Sequence, residues 1–345
     1  MSYWSLLSQA YASWPLQDDS ATTAVVAESG PSATVAGGKD ASTMTAPGPN
    51  GWLPKAFDFD GANDYLSLAS DLPNYPGWSL EAWLRYEDAS FGTIIELRGN
   101  NSARLGTRTD GTMVGAFFDG TDWYTVANPI APDAWHHAAV VWDGIVLRNY
   151  LNGVEVGSTP AETSQHLGFP DPDEIGRAGW GSLVFDGRLA GLRVHPVLAA
   201  ADVAELYSGP EPTVLTPPIL SNQVVAGAVL AVPAGDWASH GNGPLSISTA
   251  LQLSPNGVNN WQSIEASRDA SSFVVPASYE GAYIRVLTTA ANDGGESEPA
   301  LSESRQVLPT SHPFSAVAAA VARSGASAAT AVPSSGVVAG MIFHG

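Results

Sequence analysis

The chain has 345 residues, 14 lysines and arginines against 34 acids, a net charge of −20, 11 tryptophans and no cysteine. So acidic a chain lacks the basic face that nucleic-acid binding needs and has no electrostatic attraction to anionic membranes. The missing cysteines exclude disulfides, thiolate zinc sites and cysteine nucleophiles, while 35 glycines and 25 prolines favour turns and short strands over long helices.

The opening stretch, MSYWSLLSQAYASWPLQDD, has neither a positive start nor a long apolar core, so no secretory signal is expected there. No run of about 18 apolar residues occurs, so no membrane-spanning helix is expected. Period-two alternation predicts strands at SLEAWLRY (79–86), GTMVGAFF (111–118), HHAAVVWDG (136–144) and VLRNYLNGVEVG (146–157), each bounded by turn residues. Asn152-Gly153 predicts a tight hairpin. Helical character is confined to LAAADVAELY (198–207), with Asp202 and Glu205 expected on its solvent face. The four prolines of SGPEPTVLTPP (208–218) oppose helix and central strand alike and predict a linker over 210–218. More alternating strands follow over 219–309, enough for a small sandwich. Residues 310–345 are small, nearly uncharged and repetitive, yet end in the apolar VVAGMIF; they are expected to be a docking segment.

The pair His136-His137 invites a metal or catalytic reading. Adjacent strand residues point to opposite faces, so the two rings cannot share one metal. The expectation is a strand start with one histidine buried and satisfied, and with Trp83, Trp135 and Trp142 in the core.

AWHHAAVVWDGIVLRNYLNGVEVGST resembles the core signature of concanavalin A-like, laminin-G-type jelly rolls. In the same order, YASWPLQDDSATTAVVAESG (11–30), KAFDFDGANDYLSL (55–68), WSLEAWLRY (78–86) and FDGRLAGLRVHPVLAAADVAELYSGP (185–210) are similar to further segments of that family. The later stretch AGAVLAVPAGDWASHGNGPLSISTALQLSPNGVNNWQSI, followed by SYEGAYIRVLTTAANDGGESEPALS, resembles bacterial Ig-like repeats, with Leu251-Gln252-Leu253 in place of a frequent Tyr-x-Trp. The resemblance implies an all-β chain: a jelly roll over 1–209, the linker, an Ig-like sandwich over 219–309, and the tail.

The resemblance also implies two kinds of site. Laminin-G-like jelly rolls often hold calcium on loop oxygens, which here would come from Asp60, Asn63, Asp64 and Asp186, although Ala190 stands where the family frequently has an aspartate. Exposed aromatic rings stack on sugars; Trp123 and Tyr124 in GTDWYT and Trp180 in GRAGWGS are the candidates for glycan binding. No catalytic residue is expected. Glycosidases need two carboxylates about 5–9 Å apart, whereas DPDE (171–174) reads as a loop between prolines and Glu81 and Glu96 stand isolated in the sequence. No Gly-x-Ser-x-Gly elbow, zinc-binding histidine helix or Walker-type loop is present.

The functional expectation is a non-enzymatic bacteriophage virion surface protein (decoration, head-fibre or tail-associated) at the virion surface or outside the cell. Its partners would be a host-surface glycan and other virion proteins, the latter met through 310–345, with neither nucleic acid nor membrane involved. The alternatives are a secreted bacterial adhesin or carbohydrate-binding module, and beyond that a glycoside hydrolase.

Overall fold

The computed structural model describes residues 1–87, 91–97, 103–162, 172–178, 181–221 and 223–310. The chain forms two compact units: the first holds Met1–Thr213 with Trp237–Ser246 and Ala290–Glu298, the second Val214–Asp236, Ile247–Thr289 and the chain from Pro299 onward. Two stretches that lie late in the sequence thus cluster with the first unit. The proline-rich segment is not wholly irregular, since Thr213–Thr216 is a short strand, largely exposed.

The first unit is an all-β jelly-roll sandwich of two eight-stranded antiparallel sheets. In the first sheet the order is Val154–Pro160, Val146–Leu151, His136–Trp142, Trp78–Tyr86, Asp186–His195, Lys55–Asp60 and Thr45–Pro47, and Ala12–Trp14 also pairs with Asp186–His195. In the second it is Trp123–Pro129, Thr112–Phe118, Ala103–Thr107, Gly92–Leu97, Glu174–Ile175, Tyr65–Leu68, Ala33–Ala36 and Ala24–Val25. Alternation sends Leu80, Leu84, Val140 and Trp142 from one side, and Leu105, Met113 and Phe117 from the other, into a shared core with Trp14, Trp78 and Phe57. Gly115 lets the sheets close: a Cβ there would lie 2.3 Å from Asn149 Oδ1 and 2.7 Å from Val140. Asn149, fully buried, donates across the core to the Val126 carbonyl at 2.9 Å.

The first sheet is buried on its other face too. There Ala139, Val141 and Tyr150 pack under the helices Tyr3–Ser8 and Ala200–Ser208 through Tyr3, Leu6, Val203 and Leu206. The acids of the second helix do not face solvent, as its sequence suggests. Asp202 accepts the Ala199 N–H (3.0 Å) and Glu205 accepts the Tyr3 N–H (3.1 Å), so both carboxylates cap orphan backbone donors. The Asn152-Gly153 turn forms as expected: both residues have positive φ (51° and 80°) and Leu151 faces Val154 across it.

The second unit has its own apolar core, built from Leu220, Val224, Leu230, Leu251, Val275, Ile284, Val286 and Val307. Its main sheet runs through Val224–Val225, Arg305–Leu308, Tyr283–Asn292, Ser246–Ser254 and Gln262–Ser263, and Val229–Ala231 pairs with Ser272–Val274 in a second, smaller sheet. The tail 311–345 lies outside the described residues.

Candidate ligand-binding site

His137 and His136 part company as strand geometry requires. His136 bonds to the Ala131 carbonyl, while His137 is buried and its Nε2 meets Glu81 Oε2 at 2.6 Å. Glu81 is not isolated. Its other oxygen receives His195 Nε2 at 3.1 Å and the Arg193 guanidinium at 2.9 Å, and Arg193 also reaches the Tyr3 hydroxyl at 3.5 Å. Burial by itself would raise the Glu81 carboxyl, but the Arg193 charge and the two histidine hydrogen bonds outweigh it and hold Glu81 well below the ordinary glutamate range. This cluster joins three neighbouring strands beneath the helices and is a brace. Among the described residues no group of three or more histidine, aspartate or glutamate side chains is arranged to hold a metal ion.

The DGANDY loop does bring its acids together, around a cation the chain supplies itself. The Lys39 ammonium hydrogen-bonds the fully buried Asp64 and lies 3.5 Å from Asp60. Asp60 Oδ1 accepts the N–H groups of Ala62, Asn63 and Asp64 at 3.0, 3.1 and 3.3 Å. Burial opposes this, yet those N–H groups and Lys39 bring the Asp60 carboxyl down to about 2. Asn63 contributes its backbone, and Asp186 faces Asp60 across the strand pair. Two of the four calcium candidates, Asp60 and Asp64, are thus paired with Lys39, and a divalent ion between them would meet an ammonium group.

The aromatic candidates separate in the same way as the histidines. Thr112–Phe118 and Trp123–Pro129 form a hairpin whose turn is tied by Asp119 Oδ1, which accepts the Thr121 and Asp122 N–H groups at 2.8 Å each. Phe117 faces Tyr124 and Phe118 faces Trp123 across it. Tyr124 is on the core side, stacked on buried Phe117 (centroids 5.0 Å apart), with its hydroxyl on Asp119 Oδ2, and it offers no ring to a ligand on the outer face. Trp123 is on the outer face and 43% exposed. Trp180 lies outside the described residues.

Around Trp123 the outer face of the second sheet forms a cavity of about 320 Å³, lined by Phe91, Arg104, Arg108, Val114, Ala116, Trp123 and Thr125. The small side chains Ala116, Val114 and Thr125 make its floor, and alternation along RLGTR delivers Arg104 and Arg108 to the same side. Arg104 is fixed twice: it bonds Glu96 Oε1 at 2.7 Å and lies over the Trp123 ring at 5.1 Å. A parallel arrangement stands beside it. Arg177 grips Glu174 with two bonds (2.9 and 2.6 Å) and lies 3.4 Å over the Tyr65 ring. Glu174 faces Glu96 directly across paired strands, so the DPDE segment ends in a strand and Glu96 has a carboxylate neighbour. Sequence reasoning missed Arg104, Arg108, Glu96 and Glu174 as a group; the alternation in RLGTR was the available signal for the first two. A larger cavity of about 420 Å³, beside the first helix, includes Tyr3, Trp4, Trp52 and Arg193, but its guanidinium is the one committed to Glu81.

Residues 60–204 match the family model described as the concanavalin A-like lectin/glucanases superfamily, of laminin G type. No curated protein matches the chain. Among solved structures, the chain is similar to the binding domain of Paraclostridial Mosquitocidal Protein 1 (13% identity, 67% of this chain and 63% of that one, TM-score 0.48). It is also similar to domain 4 of AbnA, a GH43 extracellular arabinanase from Geobacillus stearothermophilus, in complex with arabinotriose (19%, 58% and 98%, 0.45). A third is the botulinum neurotoxin serotype D binding domain (12%, 89% and 81%, 0.46). At these identities and TM-scores the likenesses carry no function across.

Proposed function

We propose that the protein is a non-enzymatic glycan-binding surface protein whose jelly roll holds a sugar in the Trp123 cavity. The observation that carries this is an indole left 43% exposed on a rigid strand, at the mouth of a cavity with a small apolar floor and guanidinium donors at its side. Pyranose rings present an apolar face to stack on indole and hydroxyls that accept from arginine. Hydrolysis is disfavoured at the neighbouring carboxylate pair. Both members of that pair, Glu96 and Glu174, are engaged by arginines, Arg104 and Arg177, rather than turned free toward a substrate bond.

A glycan array followed by titration of the best ligand tests the site. Trp123→Ala is expected to weaken binding by about 30-fold or more, as loss of a central aromatic anchor does. Tyr124→Phe should leave affinity unchanged. Absence of any sugar ligand, or full affinity in Trp123→Ala, would refute the assignment.

The same proposal places the protein on a bacteriophage virion, facing a host-surface glycan, with 310–345 as the contact to other virion proteins. Its support is in the sequence: the likeness of both domains to modules appended to phage structural proteins, and a small-residue tail ending in VVAGMIF. Deleting 310–345 is expected to leave both units folded by circular dichroism and to abolish incorporation into particles. Normal copy number of the truncated chain in purified virions would count against it.

A further inference from the structure

In a chain with 34 acids and 14 bases, every cation has partners to choose from. Arg98 and Arg323 lie outside the described residues; of the remaining twelve lysines and arginines, ten make an ion pair. The two exceptions are Arg285 and Arg108. Arg285 is otherwise committed, donating to Gln252 Oε1 at 2.8 Å and lying 4.1 Å over the Trp261 ring. Arg108 has no such engagement. Its backbone N–H closes a turn onto the Thr112 carbonyl, and Asp110 in that turn is taken by the Thr112 N–H and hydroxyl at 3.1 and 2.6 Å. The charge of Arg108 helps hold the Asp110 carboxyl below its ordinary value, but the two make no ion pair, and the Arg108 side chain lines the Trp123 cavity.

We infer that the cavity takes an acidic sugar, whose carboxylate or sulfate group is received by the uncommitted Arg108 guanidinium while its ring lies against Trp123. The inference rests on the glycan reading and narrows it. A guanidinium offers a planar fork of donors matched to such groups. Arg104 already has its charge paired with Glu96 and lies over the indole, so it orients the ring while Arg108 supplies the charge that no ion pair answers. The net charge of −20 repels an anionic sugar at long range, but salt screens that repulsion over about 8 Å at physiological ionic strength, leaving the short contact to decide.

The experiment uses the full chain on an array of neutral oligosaccharides, each printed beside its carboxylate-bearing and sulfated counterparts, followed by calorimetric titration. Arg108→Gln, Arg108→Lys and Trp123→Ala are compared with wild type. Acidic members are expected to bind about tenfold or more tightly than their neutral parents. Arg108→Gln should erase that preference, weakening the acidic sugars far more than their neutral parents, and Arg108→Lys should retain part of it. The carboxylate and sulfate arms distinguish the source of the acid group. Neutral sugars bound as tightly as acidic ones, with no effect of Arg108→Gln, would overturn the acidic ligand and leave the glycan site standing. No sugar bound in any arm would overturn both. An aspartate-rich peptide competing as well as the acidic sugar would overturn the inference in favour of charge alone.

Discussion

Replacing Glu81 by alanine is expected to destabilise the first unit by about 3–5 kcal/mol, the cost of breaking a buried pair from one side, and to lower its melting temperature by about 10 °C. Glu81 is 1% exposed and is the one acceptor shared by His137, His195 and Arg193. Its removal strands the Arg193 cation, itself 4% exposed, beneath the helices. The double change Glu81→Ala with Arg193→Met should recover part of the loss, because removing both charges spares the uncompensated one. Thermal unfolding of the three proteins measures this; a loss below about 1 kcal/mol in Glu81→Ala would show that the cluster is no brace.

The same residue sets a pH dependence. Its folded-state carboxyl is held below the ordinary value of 4.5, so the folded protein binds fewer protons than the unfolded chain. The stabilisation is present above pH 4.5 and is lost as pH falls from there through the depressed folded value. Asp60, lowered from 3.8 to about 2, adds a further loss between those two values. Melting curves from neutral to acid pH should therefore fall steeply below 4.5, and Glu81→Gln should flatten that limb.

The second large effect is at Lys39. Lys39→Met is expected to cost about 3 kcal/mol, at the lower end for a broken pair because Lys39 is partly exposed while Asp64 is fully buried. Asp64→Asn in the same background should restore most of it, since an amide needs no counter-ion. Chelator and saturating calcium are expected to leave the wild-type melting temperature unchanged, because the ammonium group already sits on both carboxylates. A clear calcium-dependent rise in wild type would show that the ion displaces Lys39.

Much of the fold was legible because its signals are local. Alternation placed Trp83 and Trp142 inside and split His136 from His137, and Asn152-Gly153 announced its hairpin. The same rule, applied to Trp123-Tyr124, would have put one ring in and one out; taken as a pair of ligands, Tyr124 was misread. The acids of the Ala200–Ser208 helix were misread for another reason: an amphipathic pattern says which side is polar, not that a second helix will lay its backbone donors against that side.

By itself, then, the sequence determined the all-β class, the turns, the burial of Trp83 and Trp142 and the absence of thiol chemistry, since each follows from composition or from neighbours along the chain; Trp135, expected inside, precedes the strand His136–Trp142 and is only partly buried. The tertiary structure alone decided that Glu174 lies against Glu96, that His195 joins His137 on Glu81, and that Lys39 pairs with Asp64. It also decided that Arg108 lines a cavity and makes no ion pair among the described residues. Those meetings depend on which strands become neighbours and in what register, and register is fixed by the packing of the whole core rather than by any local preference.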